Sequence, residues 1–423
     1  MPALGPLVLA AAIPLLFLHR NYQPGIDVGS VHVDLADIAV LAVVVTAAAS
    51  IRRPRLRDWA SWLALAALVP VGVLWGAAHF SAYPLGTHLT TTAKWLEYML
   101  LAPAVWAIAR RQRDLLPAAV VLVAWDVVAG VVALLQFVGL VGDLDGTPAG
   151  RRKPSFVGVH DYAVLSGASL VVALVVLVRG ERSPRERAFA LTAGIAGGIG
   201  MVIGGAFDSL LGIVLATGGI VLAAHVRDRR RLATLGAILA AVAAGIFLVR
   251  SSAVADGLKF LGAKEGSGGA STHIQSYRQR ALLAYIGGRE FLAHPLLGVG
   301  WQGSADPYAF RPYLADARAK FDQPAEAFPS QRNRWGVQNA YVQTLADLGV
   351  LGLPVFLAAL LAPLVLAWRR GRGDARVAGI ALLLLVLGAW NGYGLVAGIP
   401  LGALTWLAVG VAVAAASFAR EPA

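Results

Sequence analysis

The sequence has no cysteine and few charged residues, and both scarcities exclude classes of protein. Without cysteine there is no disulfide, no thiolate nucleophile and no cysteine-ligated metal or iron–sulfur site. The eight histidines show no spacing typical of metal ligands, and we predict no metal and no cofactor. Charged residues make up 14% of the chain, against about 25% in soluble domains, which excludes an ordinary soluble enzyme.

Hydrophobic residues dominate instead, at 58% of 423 residues. A helix that crosses a bilayer needs about 20 apolar residues in succession. Twelve apolar stretches lie between polar or Gly/Pro clusters, at about 3–18, 36–51, 59–79, 93–109, 117–141, 160–178, 188–206, 208–226, 232–250, 340–368, 377–395 and 399–419. We therefore predict an all-α polytopic membrane protein with about 12 transmembrane helices in a single membrane domain, residues 1–423. The first stretch lacks a preceding basic residue and a small-x-small cleavage site, so we expect a retained helix and not a cleaved signal peptide.

The net charge of +12 comes largely from arginine-rich loops, and cytoplasmic loops of membrane proteins collect such residues. The loops after predicted helices 2, 4, 6, 8 and 10 hold nineteen arginines, within 52–57, 110–113, 179–187, 227–231 and 369–376. A twelve-helix count assigns all five loops to one side of the membrane. This distribution predicts cytoplasmic termini, with membrane lipids and not nucleic acid as the partners of the basic surface.

Two outer segments carry basic residues on the side that should be poor in them. The first is 151–153, after predicted helix 5, and the second is the long loop 251–337 between predicted helices 9 and 10, with ten Lys or Arg and seven Asp or Glu. Arginine offers phosphate oxygens a planar fork of donors, so we predict a phosphate or pyrophosphate site at the outer surface. Its candidate ligands are Arg151, Arg152, Lys153, Arg278, Arg280 and Arg289. The alternative is contact with anionic lipid headgroups or with neighbouring acids.

The long loop has a regular pattern in its second half. Residues Tyr277 to Leu292 alternate basic and apolar residues at helical spacing, and His294-Pro295 ends the pattern. We predict an amphipathic helix on the outer face of the membrane, followed by a glycine turn at 298–300 and an irregular aromatic stretch.

Ionisable residues inside predicted spans are costly to bury and are therefore candidates for function. His160 opens predicted helix 6 at the outer surface and is a candidate general base, while Asp161 beside it is a plausible N-cap. Lys94 and Glu97 are spaced i, i+3 and can pair on one helix face. Asp208 is expected to be buried and hydrogen-bonded, and its spacing assigns it no role.

A longer pattern lies where the loop meets predicted helix 10: Gln338-Asn339, nine residues, then Gly349-Val350-Leu351-Gly352. Glycines at i and i+3 let a neighbouring helix approach closely. Two amides at the mouth of a helix, beside a cationic loop, can orient a sugar hydroxyl or a phosphate.

These residues resemble the superfamily of O-antigen ligases and O-antigen polymerases, integral membrane glycosyltransferases that act on undecaprenyl-pyrophosphate-linked glycans. The ligase signature is a His followed by Asn, Ser or Gln, nine residues and then Gly-x-x-Gly. Here Gln338 occupies the His position, Asn339 matches the second position, and Gly349 and Gly352 match the glycines.

Three further segments fit the resemblance. Residues 291–300 resemble the Pro-Leu-Leu-Gly-x-Gly turn that follows the loop helix in these proteins, and Arg278 with Leu282 fits their Arg-x-x-x-Leu element. Residues 151–163 resemble the loop that enters the sixth helix, where basic residues face the lipid-linked pyrophosphate. Twelve helices with a large outer loop between helices 9 and 10 is also the architecture of the family.

The resemblance implies transfer or polymerisation of a glycan, with inversion and without a metal, on the outer face of a bacterial inner membrane. The donor would be an undecaprenyl-pyrophosphate-linked glycan, and the acceptor a hydroxyl on a lipid- or protein-linked molecule. Arginines would stabilise the charge on the leaving pyrophosphate, with Arg278, Arg151, Arg152 and Arg280 as the foremost candidates. The amides of Gln338 and Asn339 would position the acceptor.

One departure from the family matters, because Gln338 cannot take a proton from the acceptor as the motif's histidine is thought to do. The remaining candidate proton acceptors are His160, Asp322 and Glu326. The glutamine favours a polymerase over a ligase. Two other functions stay open: a membrane transporter of a small anion, and an inactive assembly subunit of a polysaccharide pathway.

Overall fold

The computed structural model describes residues 4–28, 31–50, 55–142, 152–179, 182–252, 255, 276–395 and 398–418. Within these ranges the chain is almost entirely helical, which confirms the predicted α class. The described strands form one antiparallel hairpin, β1 (Gly25–Val28) and β2 (Val31–Asp34), in which Gly25 pairs with Asp34. The pattern of residues around 25–34 did not lead us to predict this hairpin.

Fourteen of the described helices are longer than seven residues. They are α1 (Leu4–Leu16), α2 (Leu35–Ala48), α3 (Ala60–His79), α4 (Leu85–Met99), α5 (Leu101–Ile108), α6 (Leu116–Phe137), α7 (Val159–Val178), α8 (Pro184–Gly204), α9 (Phe207–Ala223), α10 (Arg229–Val249), α11 (Ser276–Ala293), α14 (Ala340–Arg370), α15 (Gly373–Ala389) and α16 (Ile399–Ala415). Two short helices, α12 (Pro307–Phe310) and α13 (Leu314–Lys320), lie in the long loop.

Several of these helices have the length and composition of membrane spans. Among the described residues seven are long and apolar enough to cross a bilayer, and they correspond to α3, α6, α7, α8, α10, α14 and α15. Four more apolar helices, α1, α2, α9 and α16, are shorter. The chain is therefore a multi-pass membrane protein by its helices, while the count of twelve spans stays a prediction. One predicted stretch, 93–109, is divided between α4 and α5 at Leu100.

The helix α7 lies at the centre of the bundle, because 83% of an 18-residue apolar segment of it is buried. In α10 only 17% of the corresponding segment is buried. Glycines let the backbones around α7 and α9 approach closely. A Cβ at Gly388 of α15 would lie 2.3 Å from the Cα of Gly212 on α9, and a Cβ at Gly197 of α8 would lie 2.6 Å from the carbonyl oxygen of Ser166 on α7. This close packing fixes the first turns of α7 and α9, which carry His160 and Asp208.

Direct contacts connect the five arginine-rich loops at one end of the bundle. Asp374 accepts from Gln112 at 3.1 Å and pairs with Arg179 at 3.1 Å. Two further contacts complete the connection: Arg370 Nη1 to Asp58 Oδ1, 3.2 Å, and Arg231 Nη1 to the Val178 carbonyl, 2.8 Å. We call this the arginine end, and we call the opposite end, which carries the long loop, the loop end.

The predicted loop helix is confirmed as α11, which ends at Ala293 before His294 and Pro295. Its apolar side chains Leu282, Leu283 and Ile286 pack against Phe310, Ala317 and Phe328 of the same loop. The loop itself therefore covers the apolar face of this helix. The prediction that the helix lies on the membrane relied on that face, which α12 and α13 occupy.

The glycine turn of the loop docks on a break in α14. Gly349 has φ 66° and ψ −161°, so it interrupts that helix. The turn makes three backbone hydrogen bonds there: Val350 N to Pro295 O at 2.7 Å, Val299 N to Ala346 O at 2.9 Å and Gly300 N to Asp347 O at 3.0 Å. A Cβ at Gly349 would lie 2.3 Å from the carbonyl carbon and oxygen of Leu296. Gly349 thus serves the approach of a turn, and not of a neighbouring helix as its spacing suggests.

Candidate functional site

Polar side chains from six separate segments converge at the loop end. We call them the loop-end cluster: Arg152, His160, Asp208, Arg280, Gln338 and Tyr393. The sequence singled out four of them as site residues, namely Arg152, His160, Arg280 and Gln338. It assigned no role to Asp208 and did not identify Tyr393.

The centre of the cluster is the pair formed by His160 and Asp208, on the first turns of α7 and α9. Their Nδ1 and Oδ2 atoms lie 3.8 Å apart, and the side chains are 30% and 3% exposed. Neither carboxylate oxygen of Asp208 has a hydrogen-bond partner among the described residues. Burying a carboxylate without partners is costly, so this arrangement points to a role beyond packing.

A tight connection between α8 and α9 holds Asp208 in place. Gly205 adopts a left-handed conformation with φ 57° and ends α8, and α9 begins only two residues later. Arg250 donates from Nη1 to the carbonyl of Gly205 at 3.0 Å, and its guanidinium lies 5.0 Å from the centroid of the Phe207 ring. A Cβ at Gly205 would lie 3.2 Å from Arg152. Two arginines therefore flank this connection, and sequence analysis missed Arg250 because it coincides with the end of a predicted span.

The aromatic member of the cluster is Tyr393, whose ring meets that of His160 edge to face with centroids 5.5 Å apart. Its hydroxyl is buried and has no hydrogen-bond partner among the described residues. Burial raises the pKa of Tyr393 well above its usual value, and the carboxylates of Asp161 and Asp208 raise it further. The phenol therefore stays protonated near neutral pH and can donate a hydrogen bond.

The start of α7 differs in one detail from the sequence-based expectation. Gly158, with φ 101°, and not Asp161, is the residue that precedes the helix. Asp161 is the third residue of α7 and is buried at 7% exposure, beside Gly398, where a Cβ would lie 2.2 Å from its Oδ2. The N-cap role predicted for Asp161 is therefore wrong, because the chain enters α7 through a glycine conformation that needs no side-chain cap.

Positive charge reaches the cluster mainly from Arg280 of α11. Its Nε donates to Gln338 Oε1 at 3.3 Å, and its two terminal nitrogens make no hydrogen bond with the described residues. The charge of Arg280 acts on His160, Asp208 and Tyr393 alike, and that of Arg152 acts on His160. The long loop thus places the charge of Arg280 beside the first turns of α7 and α9.

The other predicted cations lie elsewhere or fall outside the described ranges. Arg289 is exposed, with its guanidinium 5.9 Å from the centroid of the Tyr313 ring, and nine residues of helix put it on the face opposite Arg280. Lys153 donates its backbone N–H to Ile203 at 3.2 Å, near the end of α8. Arg278 is half-buried one half-turn before Arg280, and Arg151 lies outside the described residues.

The two amides of the motif have different environments. The Asn339 side chain caps α14, since its Oδ1 accepts from the backbone N–H groups of Tyr341 and Val342 at 3.1 Å each. Its Nδ2 donates to Asn391 Oδ1 at 2.7 Å. All of these contacts hold the helix terminus, so Gln338 is the amide that faces the loop-end cluster.

Two of the three candidate proton acceptors, Asp322 and Glu326, do not belong to the loop-end cluster. Asp322 and Glu326 are exposed on the loop, and no described contact joins either of them to the loop-end cluster. His160 is the candidate that the fold brings together with two cations and the amide of Gln338.

A second group of polar residues, buried except for Arg334, lies beneath the glycine turn, and the sequence did not reveal it. Asp347 of α14 accepts from the backbone N–H groups of Gln302 and Ser304 at 3.1 and 3.0 Å and from Gln343 Nε2 at 3.0 Å. Asp306 Oδ2 lies 2.7 Å from His88 Nε2, and its Oδ1 lies 3.3 Å from Arg334 Nη1. We call this group the turn cluster: Asp347, Asp306, His88, Gln343 and Arg334.

In comparisons with known proteins, no protein-family model matches the chain, and the search of curated proteins returned no match. Within the described residues no three histidine or carboxylate side chains converge as they would around a metal ion.

Proposed function

We propose that this protein transfers or polymerises a glycan from an undecaprenyl-pyrophosphate-linked donor to an acceptor hydroxyl, with inversion and without a metal, at the outer face of a bacterial inner membrane. The observation that carries the proposal is the loop-end cluster. Two arginines, an imidazole and an amide meet at one end of a bundle of apolar helices, and they come from the stretch 152–160, from α11 and from the residues before α14.

The cations suit a pyrophosphate leaving group. As the glycosidic bond breaks, negative charge builds on the phosphate oxygens, and donors already fixed in position stabilise that charge most effectively. The terminal guanidinium nitrogens of Arg280 make no hydrogen bond with the described residues and could bind a ligand, and Arg152 acts on the same site. A polyisoprenoid donor would reach them from the membrane, since His160 and Asp208 lie on the first turns of apolar helices.

The amide of Gln338 suits the acceptor. It accepts from Arg280 at 3.3 Å and retains an amide N–H to bind a sugar hydroxyl. The proposal thus separates the two substrates: cations bind the donor phosphates, and the amide orients the hydroxyl that attacks.

The test is glycan transfer by the full chain in liposomes supplied with undecaprenyl-pyrophosphate-linked oligosaccharides and a lipid-linked acceptor. Arg280→Ala should lower the transfer rate about 100-fold or more, as the loss of one fixed donor to a developing charge does. Arg311→Ala, which removes an exposed cation of the same loop, is the control and should transfer at the rate of the unaltered protein.

Two outcomes would contradict the proposal. One is an Arg280→Ala protein that folds normally and transfers glycan as fast as the control. The other is absence of transfer by the unaltered protein together with uptake of a labelled anion into the same liposomes, which would make the chain a transporter.

A further inference from the structure

We infer that His160 is the general base of the proposed transfer and that Asp208 is its positioning residue, so that the pair replaces the proton acceptor missing at Gln338. The inference rests on the proposed function. It concerns a residue, Asp208, to which the sequence pattern assigned no role.

Asp208 contacts one particular nitrogen of the His160 ring. Asp208 Oδ2 lies 3.8 Å from Nδ1 of His160 and has no hydrogen-bond partner among the described residues. A carboxylate beside Nδ1 favours the tautomer with its proton on that nitrogen, which leaves the lone pair on Nε2. The distance exceeds that of a hydrogen bond, and such contacts often shorten when substrate binds.

The two side chains of the pair differ in exposure. The His160 side chain is 30% exposed and can meet a substrate, whereas that of Asp208 is 3% exposed and cannot. Gly392 packs against the carboxylate of Asp208 and limits its movement, since a Cβ at Gly392 would lie 2.3 Å from Oδ2 of Asp208. The carboxylate therefore acts through the imidazole and not on the acceptor directly.

Several charged and polar groups surround the His160 ring. Arg280 and Arg152 act on the imidazole, the Tyr393 ring meets it edge to face, and the charge of Asp161 interacts with that of Asp208. The Asp208 carboxylate would stabilise the imidazolium once it forms, so the ring can accept a proton from the acceptor.

The proposed transfer moves one proton and exchanges one bond at the anomeric carbon. The acceptor hydroxyl gives its proton to Nε2 of His160, and its oxygen forms a bond to the anomeric carbon of the donor. The bond between that carbon and the pyrophosphate oxygen breaks, and its electron pair stays on the phosphate, where Arg280 and Arg152 neutralise it. The imidazolium then loses the proton to water.

The first experiment is the rate of transfer as a function of pH, in the liposome assay described above. His160→Gln should lower kcat by about 100-fold or more, in the range of general-base catalysis. Asp208→Asn should lower kcat at least about tenfold with little change in KM, because an amide can donate to Nδ1 and so favour the wrong tautomer. The rising limb of rate against pH should disappear in His160→Gln and shift in Asp208→Asn.

The second experiment does not depend on activity. In the full chain labelled with ¹⁵N-histidine, the signal that His160→Gln removes should report a proton on Nδ1, and Asp208→Asn should change that signal. A merely structural role of Asp208 would leave the tautomer unchanged. A proton on Nε2 in the unaltered protein would overturn the inference.

The two proposals fail separately. If Arg280→Ala abolishes transfer while His160→Gln and Asp208→Asn both transfer at full rate with the original pH profile, the base assignment is wrong and the proposed function stands. If the unaltered protein transfers no glycan, the proposed function fails, and the base role fails with it even where the tautomer is as expected.

Discussion

The turn cluster and the loop-end cluster are both groups of charged and polar residues around buried carboxylates, yet those carboxylates differ in their hydrogen bonds. In the turn cluster Asp347 accepts three hydrogen bonds, and Asp306 contacts a histidine and an arginine. In the loop-end cluster neither oxygen of Asp208 nor the Tyr393 hydroxyl has a partner among the described residues.

This difference separates a scaffold from a site. Buried polar groups in folded proteins are nearly always hydrogen-bonded. The carboxylates of the turn cluster follow this rule and so fix one arrangement of the chain, although Nδ1 of His88 has no partner among the described residues. Groups left without partners retain the capacity to bind something else. The turn cluster therefore holds the loop on the bundle, and the loop-end cluster is where a ligand would complete the hydrogen bonds.

The largest effect should come from removing the centre of the turn cluster. Asp347→Ala leaves the N–H groups of Gln302 and Ser304 buried without an acceptor, so we expect about 3 kcal/mol or more of lost stability. Thermal unfolding in detergent measures it. Asp322→Ala, at an exposed position, is the matched control, and equal melting temperatures for the two variants would refute the scaffold role.

The second-largest effect should come from a substitution at the break in α14. Gly349→Ala adds a Cβ 2.3 Å from the backbone of Leu296 at a position with φ 66°, so we expect a loss of about 2 kcal/mol. Gly288→Ala is the control, since a Cβ there meets nothing within 4 Å. If both glycine variants unfold at the same temperature, the docking of the turn does not need a glycine.

Glu290 sharpens the comparison, because it is fully buried near the turn cluster yet both its oxygens lack partners among the described residues. Burial raises the pKa of Glu290 well above 4.5, and the charge of Asp347 raises it further. The folded protein then holds a proton that the unfolded chain loses first, so stability falls as pH rises from 4.5 through the folded-state pKa.

We expect Glu290→Gln to remove this slope, which for one proton is at most about 1.4 kcal/mol per pH unit. Melting temperatures between pH 5 and 8 measure the slope in both proteins. A slope that persists in Glu290→Gln would assign it to another group.

The smallest effect should come from Arg289. The sequence grouped it with Arg280, but it lies on the opposite face of α11 beside Tyr313. We expect Arg289→Ala to keep the transfer rate within about threefold of the unaltered protein, which is the scale of an exposed charge. A loss as large as that of Arg280→Ala would mean that both faces of α11 reach the donor.

The sequence predicted the features that depend on local patterns. The apolar stretches, the helix that ends before His294 and the glycine turn at 298–300 all follow from periodicity and residue type. Contacts between distant segments leave no such pattern. Lys94 pairs with Asp37 of α2 and not with Glu97 of its own helix, because α2 and α4 are neighbours in the bundle.

The same limit applies to the candidate site. His160, Arg280 and Gln338 were predicted singly, from charge on an unexpected side and from a motif. Asp208 could not be paired with His160, since nothing in the sequence says that the first turns of α7 and α9 adjoin. The glycines of α8, α9 and α15 make that approach possible, but a glycine in an apolar stretch does not indicate which helix it faces.

The break at Gly349 also bears on where the bilayer ends. The helix α14 spans 31 residues, Ala340–Arg370, which is longer than a crossing requires. The part after the break, 350–370, measures about 30 Å at 1.5 Å per residue, as thick as the hydrocarbon core. If residues 350–370 cross the hydrocarbon core, Gly349 lies at the boundary of that core, beside the docked turn. On this length argument the break sets the height of the loop, and of Arg280 with it, relative to the headgroups from which a lipid-borne substrate would come.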